Sequence, residues 1–531
     1  MIDTAYVRAR HALAAAAVLL ALGLPAAAPA AAPVPATPIP GNGPAPTVPE
    51  YIGKPAKPDP VAVEHVWQNP YMAPNPRNSV HNDAWQSDAY SKYAGPLGRS
   101  PETLSTGIGR TCITLTFDSQ GRLIGTCTNL PDGPGLYLLD PVTLDTLAFR
   151  QLPYVPPPEG TNPALNTTGG AYFYLDDRDR ITMAASNRHI LVFSVDDSGP
   201  EPEFVERADY NPAACLPEGE RMPSALPDNR GRIWFVGRYQ GTVGVLDPET
   251  GECASIVLDE EIENSFAMAR DGAYVVSDTA QYKFRAGKSL KPRIVWRAKY
   301  ANTGIQKPGQ INAGSGTTPT LIGDGTNTPK YVAITNNADP MGVVVYRAGD
   351  DVGKRPRRVC TVPVFGAGAS DTENSLISMG NSLIVENNYG YDLQKFNDII
   401  AGGIPVGGDP ALVSSPGIAR VDIRGNGNGC KLVWTNHEVR APSVVPKGDA
   451  RNGLIYTFEN APDPGEPTSD PWYWSALDYD TGKVVFKQMA GHGGLYNNHY
   501  AGIAMGRDPE TKRTTLYLGG VGGIMALRDG R

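Results

Sequence analysis

The sequence lacks the short motifs that mark many common enzymes. It contains no H-E-x-x-H, no G-x-S-x-G, no P-loop and no C-x-x-C-H segment. Their absence gives no support for a zinc protease, an α/β-type serine hydrolase, a nucleotide-binding loop or a c-type haem site. The glycine-rich run at residues 519–523 lies between strand-like segments and opens no helix. It therefore predicts close backbone packing and not dinucleotide binding.

The chain also lacks an excess of positive charge. Its 47 Lys and Arg residues are outnumbered by 55 Asp and Glu residues, and the formal net charge is −8. Nucleic-acid binding needs a basic footprint, so we expect no nucleic-acid partner. The chain has no basic amphipathic segment of the kind that would indicate binding to a membrane surface.

Long hydrophobic runs are absent apart from one at the N-terminus. Arg8 and Arg10 precede an apolar, Ala- and Leu-rich run at residues 11–24, and small residues follow it. This order is typical of a signal peptide, which we place at residues 1–28, and the alternative is an uncleaved anchor. Residues 29–60 are rich in Ala and Pro and are interpreted as a leader. We expect no membrane span after cleavage, and an exported protein, either periplasmic or extracellular.

The six cysteines all follow the predicted signal peptide, and none forms a C-x-x-C pair. This spacing argues against zinc and against thioredoxin-like redox chemistry. An even number in an exported chain predicts three disulfides. Many pairings are open from sequence alone, and we favour sequential pairing. The expected pairs are Cys112 with Cys127, Cys215 with Cys253, and Cys360 with Cys430.

A short pattern recurs along residues 61–531: Pro or Asn, then Ser or Thr, then mostly apolar residues. Each copy precedes a turn and a run rich in β-branched residues, which is typical of short antiparallel strands. Repeated meanders of this kind predict a single all-β propeller, because radial packing leaves only short, protected sheet edges. The copies are Pro223-Ser224, Asn264-Ser265, Pro319-Thr320, Asn374-Ser375 and Pro442-Ser443.

The meanders predict about eight four-stranded blades, with seven as the alternative. The last one has only three clear strands, so an N-terminal segment between Asp83 and Pro96 is expected to close it. Three long inserts, at residues 301–316, 392–415 and 459–471, interrupt the repeat and are expected near the functional site. The predicted blades span residues 111–152, 170–208, 221–258, 264–300, 316–364, 374–435, 440–490 and 497–531.

Three turns share an aspartate followed by Thr, and in two of them by Gly, and they begin at Asp140, Asp247 and Asp478. The form is clearest at residues 477–486, an aliphatic-Asp-x-x-Thr-Gly-x-x-x-aromatic segment. It resembles the blade signature of the pyrroloquinoline-quinone-type, or quinoprotein alcohol dehydrogenase-like, β-propellers. That resemblance implies a quinoprotein oxidoreductase as one interpretation. The family's dehydrogenases often carry a vicinal Cys pair over the quinone, and none exists here, so we expect a member that does not bind the quinone.

Amide side chains cluster beside several predicted strands. Asn offers both donor and acceptor groups, so Asn residues at one end of a propeller channel suit sugar hydroxyls or hard cations. One short segment occurs twice, as Glu263-Asn264-Ser265 and as Glu373-Asn374-Ser375. This repeat places a carboxylate and an amide at the start of two predicted inner strands. Calcium is the cation that Glu386 and Asn387 are predicted to bind. The predicted ligand-binding residues are Asn264, Asn374, Asn387, Asn388, Asn497, Asn498 and Lys307.

Histidines are scarce, with seven in the chain. Imidazole titrates near neutral pH, which suits proton transfer. His81 precedes the expected closing segment, and His499 follows an Asn pair. We therefore predict His81 and His499 as catalytic residues.

Two further functions stay open beside the quinoprotein interpretation. The first is a ligand-binding or catalytic site for a small molecule or carbohydrate at one mouth of the channel. The second is a non-catalytic envelope scaffold that binds protein partners, favoured by the lack of a strong catalytic motif. Fold alone does not choose between them.

Overall fold

The computed structural model describes residues 32–129, 132–157, 166–392 and 414–530. The predicted signal peptide and nearly all of the insert at residues 392–415 lie outside these ranges. Within them the strands form eight antiparallel sheets arranged as an eight-bladed β-propeller. This confirms the predicted fold class and selects eight blades over seven.

Each blade has four strands that follow one another from the channel outward, and blade 8 takes its fourth strand from the N-terminal part of the chain. The strands of blades 1 to 4 are Thr111–Phe117, Leu123–Asn129, Gly133–Leu139 and Thr146–Gln151; Phe173–Leu175, Ile181–Ala184, Ile190–Asp196 and Glu203–Tyr210; Ser224–Pro227, Ile233–Val236, Thr242–Leu246 and Cys253–Val257; Ala267–Ala269, Gly272–Val276, Ala280–Ala286 and Pro292–Lys299. The strands of blades 5 to 8 are Thr320–Ile322, Tyr331–Thr335, Gly342–Arg347 and Arg358–Pro363; Ile377–Met379, Ser382–Glu386, Ile418–Ile423 and Cys430–Asn436; Lys447–Asp449, Leu454–Asn460, Pro471–Asp478 and Val484–His492; Ala504–Arg507, Thr514–Gly519, Gly523–Arg528 and Glu102–Gly107.

An N-terminal segment closes blade 8, as expected, but it is a later one. Glu102–Gly107 pairs antiparallel with Gly523–Arg528 and becomes the outermost strand. The expected closing segment, between Asp83 and Pro96, instead contributes Ala89–Tyr90, which pairs parallel with the inner strand of blade 7. Its side chains are largely buried and polar. They need hydrogen-bond partners on several sides, which an exposed outer strand does not offer.

Turn chemistry explains why the meanders repeat. In blades 1, 2 and 3 an aspartate ends the inner strand, and its carboxylate accepts backbone N–H bonds from the turn that follows. Asp228, for example, accepts from the N–H groups of Arg230 at 2.8 Å and Arg232 at 3.2 Å. Gly231 occupies a left-handed conformation in the same turn, with φ of 80°. Asp140, Asp247 and Asp478 accept backbone N–H bonds in the same way in the turns that carry the family resemblance.

Residues 69–90 fill one part of the central channel, and we name them the central plug. Polar groups of this segment hydrogen-bond to the inner strand of every blade, mostly through backbone carbonyls. Such contacts satisfy backbone groups that a closed ring of strands would otherwise leave without partners. In order of blade number, the contacts are Arg77 with Thr116, Asn78 with Leu175, Asn69 with Pro227, Ala84 with Met268, Trp85 with Leu321, Ser87 with Ser378, Asp88 with Gly448, and Tyr90 with Met505.

The part of the predicted leader that the structure describes lies along the outside of the propeller. Val34 exchanges two backbone hydrogen bonds with Thr146 of blade 1. Tyr51–Gly53 adds a strand to the outer edge of blade 7. These contacts cover sheet edges that would otherwise be open to pairing with other chains.

Three disulfides join the expected sequential pairs. Cys112–Cys127 links two strands of blade 1, and Cys215–Cys253 ties a turn after blade 2 to the outer strand of blade 3. Cys360–Cys430 joins the outer strands of blades 5 and 6. The disulfides are consistent with an exported protein. Among the described residues, no helix is long and apolar enough to cross a membrane.

Replacing Cys360 and Cys430 together with alanine is expected to lower the free energy of unfolding by about 4 kcal/mol, because this crosslink closes a long loop in the unfolded chain. Its separation is 70 residues, against 15 for Cys112–Cys127. The same change at Cys112 and Cys127 should cost about 3 kcal/mol. Guanidinium unfolding without reductant measures both, and a larger loss for the shorter loop would contradict the expectation.

Candidate functional site

A cavity of about 80 Å³ lies in the channel above the plug. It is at the mouth where the inner strands begin, which we name the upper mouth. Its walls come from the plug and from residues that precede the inner strands of several blades, because the propeller turns these positions toward the axis. The polar lining includes His81, Tyr172, Asn264, Glu373, Asn374 and Ser375. None of the described residues that line it is Lys or Arg.

A pair of buried carboxyl groups stands at this cavity. Glu373 lines it and Glu263 lies behind, against a smaller cavity of about 10 Å³. Burial raises the pKa of Glu373 to about 7. Burial, and then the neighbouring Glu373 carboxylate, raise the pKa of Glu263 well above its usual range. Glu373 therefore changes its charge within the physiological range, and Glu263 favours its protonated form more strongly than an exposed glutamate does.

Amide groups hold Glu373 in place. Asn264 donates to its carboxylate at 3.3 Å and accepts from the Tyr172 hydroxyl at 2.8 Å. The backbone N–H of Ile311, in the predicted insert at residues 301–316, donates to the other carboxylate oxygen at 3.0 Å. The repeated Glu-Asn pairs that precede the inner strands of blades 4 and 6 thus contact each other in the channel, through Asn264 and Glu373.

The two polar atoms of the Asn374 side chain differ in their hydrogen bonding. Its Nδ2 donates to Glu386 at 2.6 Å and to Asn388 at 3.2 Å. Its Oδ1 is buried, and no described donor reaches it. Because the residue lines the cavity, this oxygen is an acceptor available to a ligand. A buried acceptor without a partner is costly, which makes a bound donor favourable there.

Asn388 supports this arrangement from below. Its Oδ1 accepts from the Thr372 hydroxyl at 3.0 Å and from the backbone N–H of Glu373 at 2.8 Å. Burial raises the pKa of the adjacent Glu386 well above its usual range. Burial thus favours the neutral form of Glu386, which accepts a hydrogen bond from Asn374.

His81 belongs to a buried polar row that starts at Ser375. The Ser375 Oγ lies 3.5 Å from His81 Nε2, and His81 Nδ1 lies 3.0 Å from an Asp88 oxygen. Asp88 also pairs with the Lys447 ammonium group. Although burial opposes ionisation, the charges of His81 and Lys447 hold the pKa of Asp88 below its usual range. The His81 ring is stacked on Tyr172, with centroids 6.2 Å apart.

His499 lies at the rim of the cavity. Its Nδ1 is 3.1 Å from the Tyr391 hydroxyl. Burial lowers the pKa of His499 to about 3, so its imidazole is neutral near pH 7. His499 and Tyr500 both have positive φ, 40° and 61°. Such backbone strain in residues other than glycine is found mostly where the surrounding structure imposes it.

The insert at residues 301–316 crosses the upper mouth. The Tyr500 hydroxyl donates to the carbonyl of Gly309 at 2.7 Å. Gly309 has φ of 113°, and a side chain there would meet the Asn388 carbonyl oxygen at 2.4 Å. Lys307 in this insert donates to the carbonyl of Ser370 at 3.0 Å and does not line the cavity. The insert therefore acts as a bridge over the mouth, and Lys307 anchors it.

The other predicted ligand-binding residues lie outside the cavity. Asn497 accepts from the backbone N–H of His499 at 3.0 Å and from the Tyr391 hydroxyl at 3.2 Å. Asn498 accepts from the Ser443 hydroxyl at 3.4 Å. Both are buried and make contacts within the protein. They position the rim, and their predicted role in ligand binding stays a prediction.

The predicted calcium ligands do not converge. Asn387 accepts from the backbone N–H of Asp371 at 3.2 Å and donates to the carbonyl of Ala369 at 2.9 Å, whereas Glu386 is bonded to Asn374. Calcium needs several oxygen ligands in one place. Within the described part of the chain, no group of three or more His, Cys, Asp or Glu side chains is placed to hold a metal. Glu386 and Asn387 thus do not fit the ion.

Two residues of the site were not among the sequence candidates. Asp88 lies in a segment interpreted as an edge strand, and Tyr172 precedes an inner strand without an accompanying amide. No motif surrounds either residue. The only available signal for Tyr172 was its position directly before an inner strand.

Comparison with known proteins leaves the function open. No family model matches the chain. An uncharacterized protein of Archaeoglobus fulgidus is 26% identical over 400 residues, which cover 70% of this chain and 72% of the relative. BamB from Moraxella catarrhalis is 13% identical, covering 66% of this chain and 94% of that protein, with a TM-score of 0.33. Sqt1 from Chaetomium thermophilum is 12% identical, covering 80% and 96%, with a TM-score of 0.43.

Proposed function

We propose that this protein is an exported propeller that binds a compact, hydroxyl-rich small molecule in the channel cavity, and that Glu373 exchanges a proton with it. The observation that carries the proposal is the position of Glu373. It faces the channel cavity, its pKa is raised by burial to about 7, and the unpartnered Asn374 Oδ1 lies beside it. Perturbed acids in a concave, partly apolar cavity are typical of ligand or catalytic sites.

The lining favours an uncharged ligand. Phosphate and carboxylate groups are usually bound by Arg or Lys, and neither lines the cavity. The hydrogen-bonding groups are hydroxyls, amides and one titrating acid, which suit ligand hydroxyls as donors and acceptors. Ile311 and Val445, with the ring of Tyr172, add apolar surface, as the C–H face of a sugar ring needs.

The proton exchange follows from the carboxyl pair. A protonated Glu373 can donate a hydrogen bond or a proton to a ligand oxygen, and the ionised form can accept one. Burial, and then the Glu373 charge, favour the protonated form of Glu263 behind it. General acid–base groups are most effective with a pKa near the working pH.

The test is binding of neutral monosaccharides and their methyl glycosides, measured by saturation-transfer NMR and calorimetry between pH 5.5 and 8.5. We expect at least one pentose or hexose to bind, with an affinity that changes about tenfold across the Glu373 titration. In Glu373→Gln the affinity should no longer vary with pH. Glu249→Gln, at an exposed turn, is the matched control and should behave as wild type.

Two results would overturn the proposal. One is no binding by any sugar of the panel at millimolar concentration. The other is binding whose pH dependence is the same in wild type and Glu373→Gln. Infrared difference spectra give an independent readout, since the acid carbonyl band that disappears near pH 7 should be missing in Glu373→Gln.

A further inference from the structure

The row Ser375–His81–Asp88 has the order and contacts of a nucleophile, a base and an orienting acid. All three are at most 4% exposed, and Ser375 and His81 line the cavity. We propose that Ser375 is an acyl-accepting nucleophile activated by His81, and that the substrate class is a neutral, short-chain O-acyl ester of the hydroxyl-rich ligand. The inference rests on the proposed function for its alcohol portion.

The tautomer of His81 is set by its neighbours. Both Asp88 oxygens lie close to His81 Nδ1, at 3.0 and 3.1 Å, so this nitrogen carries the proton and donates it to the carboxylate. The lone pair of Nε2 is then directed at Ser375 Oγ, 3.5 Å away. This contact is longer than a tight hydrogen bond, as in many free enzymes, in which such contacts shorten when substrate binds.

Lys447 keeps the orienting acid ionised. Its ammonium group is fully buried against Asp88 and also donates to the Val80 carbonyl at 2.5 Å. An ionised Asp88 stabilises the imidazolium that forms when His81 takes a proton. Asp88 is a positioning residue here, and Lys447 acts through it.

Serines at related positions of the blade repeat have different partners. Ser265 Oγ lies 2.8 Å from Ser224 Oγ, and Ser443 donates to Asn498 at 3.4 Å. Those serines hydrogen-bond to neighbouring blades. Of these serines, Ser375 is the one that lies beside an imidazole, because His81 of the plug is placed next to the start of blade 6.

The reaction balances without a cofactor. Ser375 Oγ forms a bond to the ester carbonyl carbon while its proton passes to His81 Nε2. The tetrahedral intermediate collapses, the C–O bond to the alcohol breaks, and His81 returns the proton to the leaving oxygen. Water then attacks the acyl-serine, giving its proton to His81, and the acid is released with Ser375 regenerated. The small cavity of about 80 Å³, which opens at the upper mouth, favours a short acyl group at Ser375.

Methanesulfonyl fluoride, a reagent of similar size, tests the nucleophile directly on the full-length protein. Intact-mass analysis should find one sulfonyl group per chain, and peptide mapping should place it on Ser375. We expect His81→Gln to slow labelling by about 100-fold or more. Ser375→Ala should not be labelled, whereas Ser265→Ala is the matched control and should be labelled at the wild-type rate.

Labelling of another residue, or equal rates in wild type and His81→Gln, would overturn the inference. If Ser375→Ala does not fold, the site map and the His81→Gln rate still decide. The two proposals fail separately. Sugar binding without Ser375 labelling sinks the acyl-transfer inference alone, and Ser375 labelling without sugar binding sinks only the assignment of the ligand.

Discussion

Replacing Asp88 with asparagine is expected to lower the free energy of unfolding by about 3–5 kcal/mol. Asp88 and Lys447 form an ion pair in which both side chains are fully buried. The substitution leaves the ammonium group in the propeller interior without a counter-charge, and desolvation of an unpaired ion is expensive. Urea unfolding followed by tryptophan fluorescence measures the loss.

The partner substitution provides the control. Lys447→Met should cost less than Asp88→Asn, because the Asp88 carboxylate keeps its hydrogen bond from His81 Nδ1. The double variant should recover part of the loss, since no unpaired ion remains. A double variant as unstable as the sum of the two single variants would show that the pair has no energetic coupling.

Asp83→Asn is expected to remove a large part of the pH dependence of stability. Burial raises the pKa of Asp83 to about 7. Above its ordinary pKa near 4, the unfolded chain releases a proton that the folded protein keeps, so stability falls as pH rises from about 4 to about 7. Asparagine avoids this loss, so the variant should match wild type near pH 4 and be about 4 kcal/mol more stable at pH 8.

Thermal unfolding at half-unit pH intervals checks this sign. The Asp83 carboxylate accepts from the backbone N–H of Trp85 at 2.9 Å and of Ser87 at 3.3 Å, and the amide oxygen of asparagine can accept the same bonds. Glu249→Gln, at an exposed turn, should follow the wild-type curve. Wild-type stability that rises between pH 5 and 7 while Asp83→Asn shows no gain at pH 8 would contradict the prediction.

The blades were predictable because their signals are local. The meander expected at 111–152 corresponds to strands from Thr111 to Gln151, and the one at 374–435 to strands from Ile377 to Asn436. Alternating β-branched residues and Asp- or Gly-containing turns act within a few residues of each other. The plug carries no such period, because its partner strands lie from 39 to 415 residues away in the chain.

The site was predictable only where the repeat supplied symmetry. Asn264 and Asn374 occupy equivalent positions in blades 4 and 6, as do Glu263 and Glu373, and a propeller brings equivalent positions to one axis. Asn387 and Asn497 carry the same residue type, yet their amides bind turn backbone. Residue type alone does not separate these two uses of Asn. The contact of Asp88 with Lys447 spans 359 residues and has no local signal.

The contacts of the central plug with all eight blades constrain how the chain is made. Residues 69–90 leave the ribosome early, but the surface that receives them is complete only after blade 8 has been synthesised. The same holds for Glu102–Gly107, which waits for Gly523–Arg528. Until then the nascent chain exposes unpaired strands, which favour aggregation. We therefore expect the yield of folded protein to fall when the early segments stay exposed for longer before blade 8 is complete.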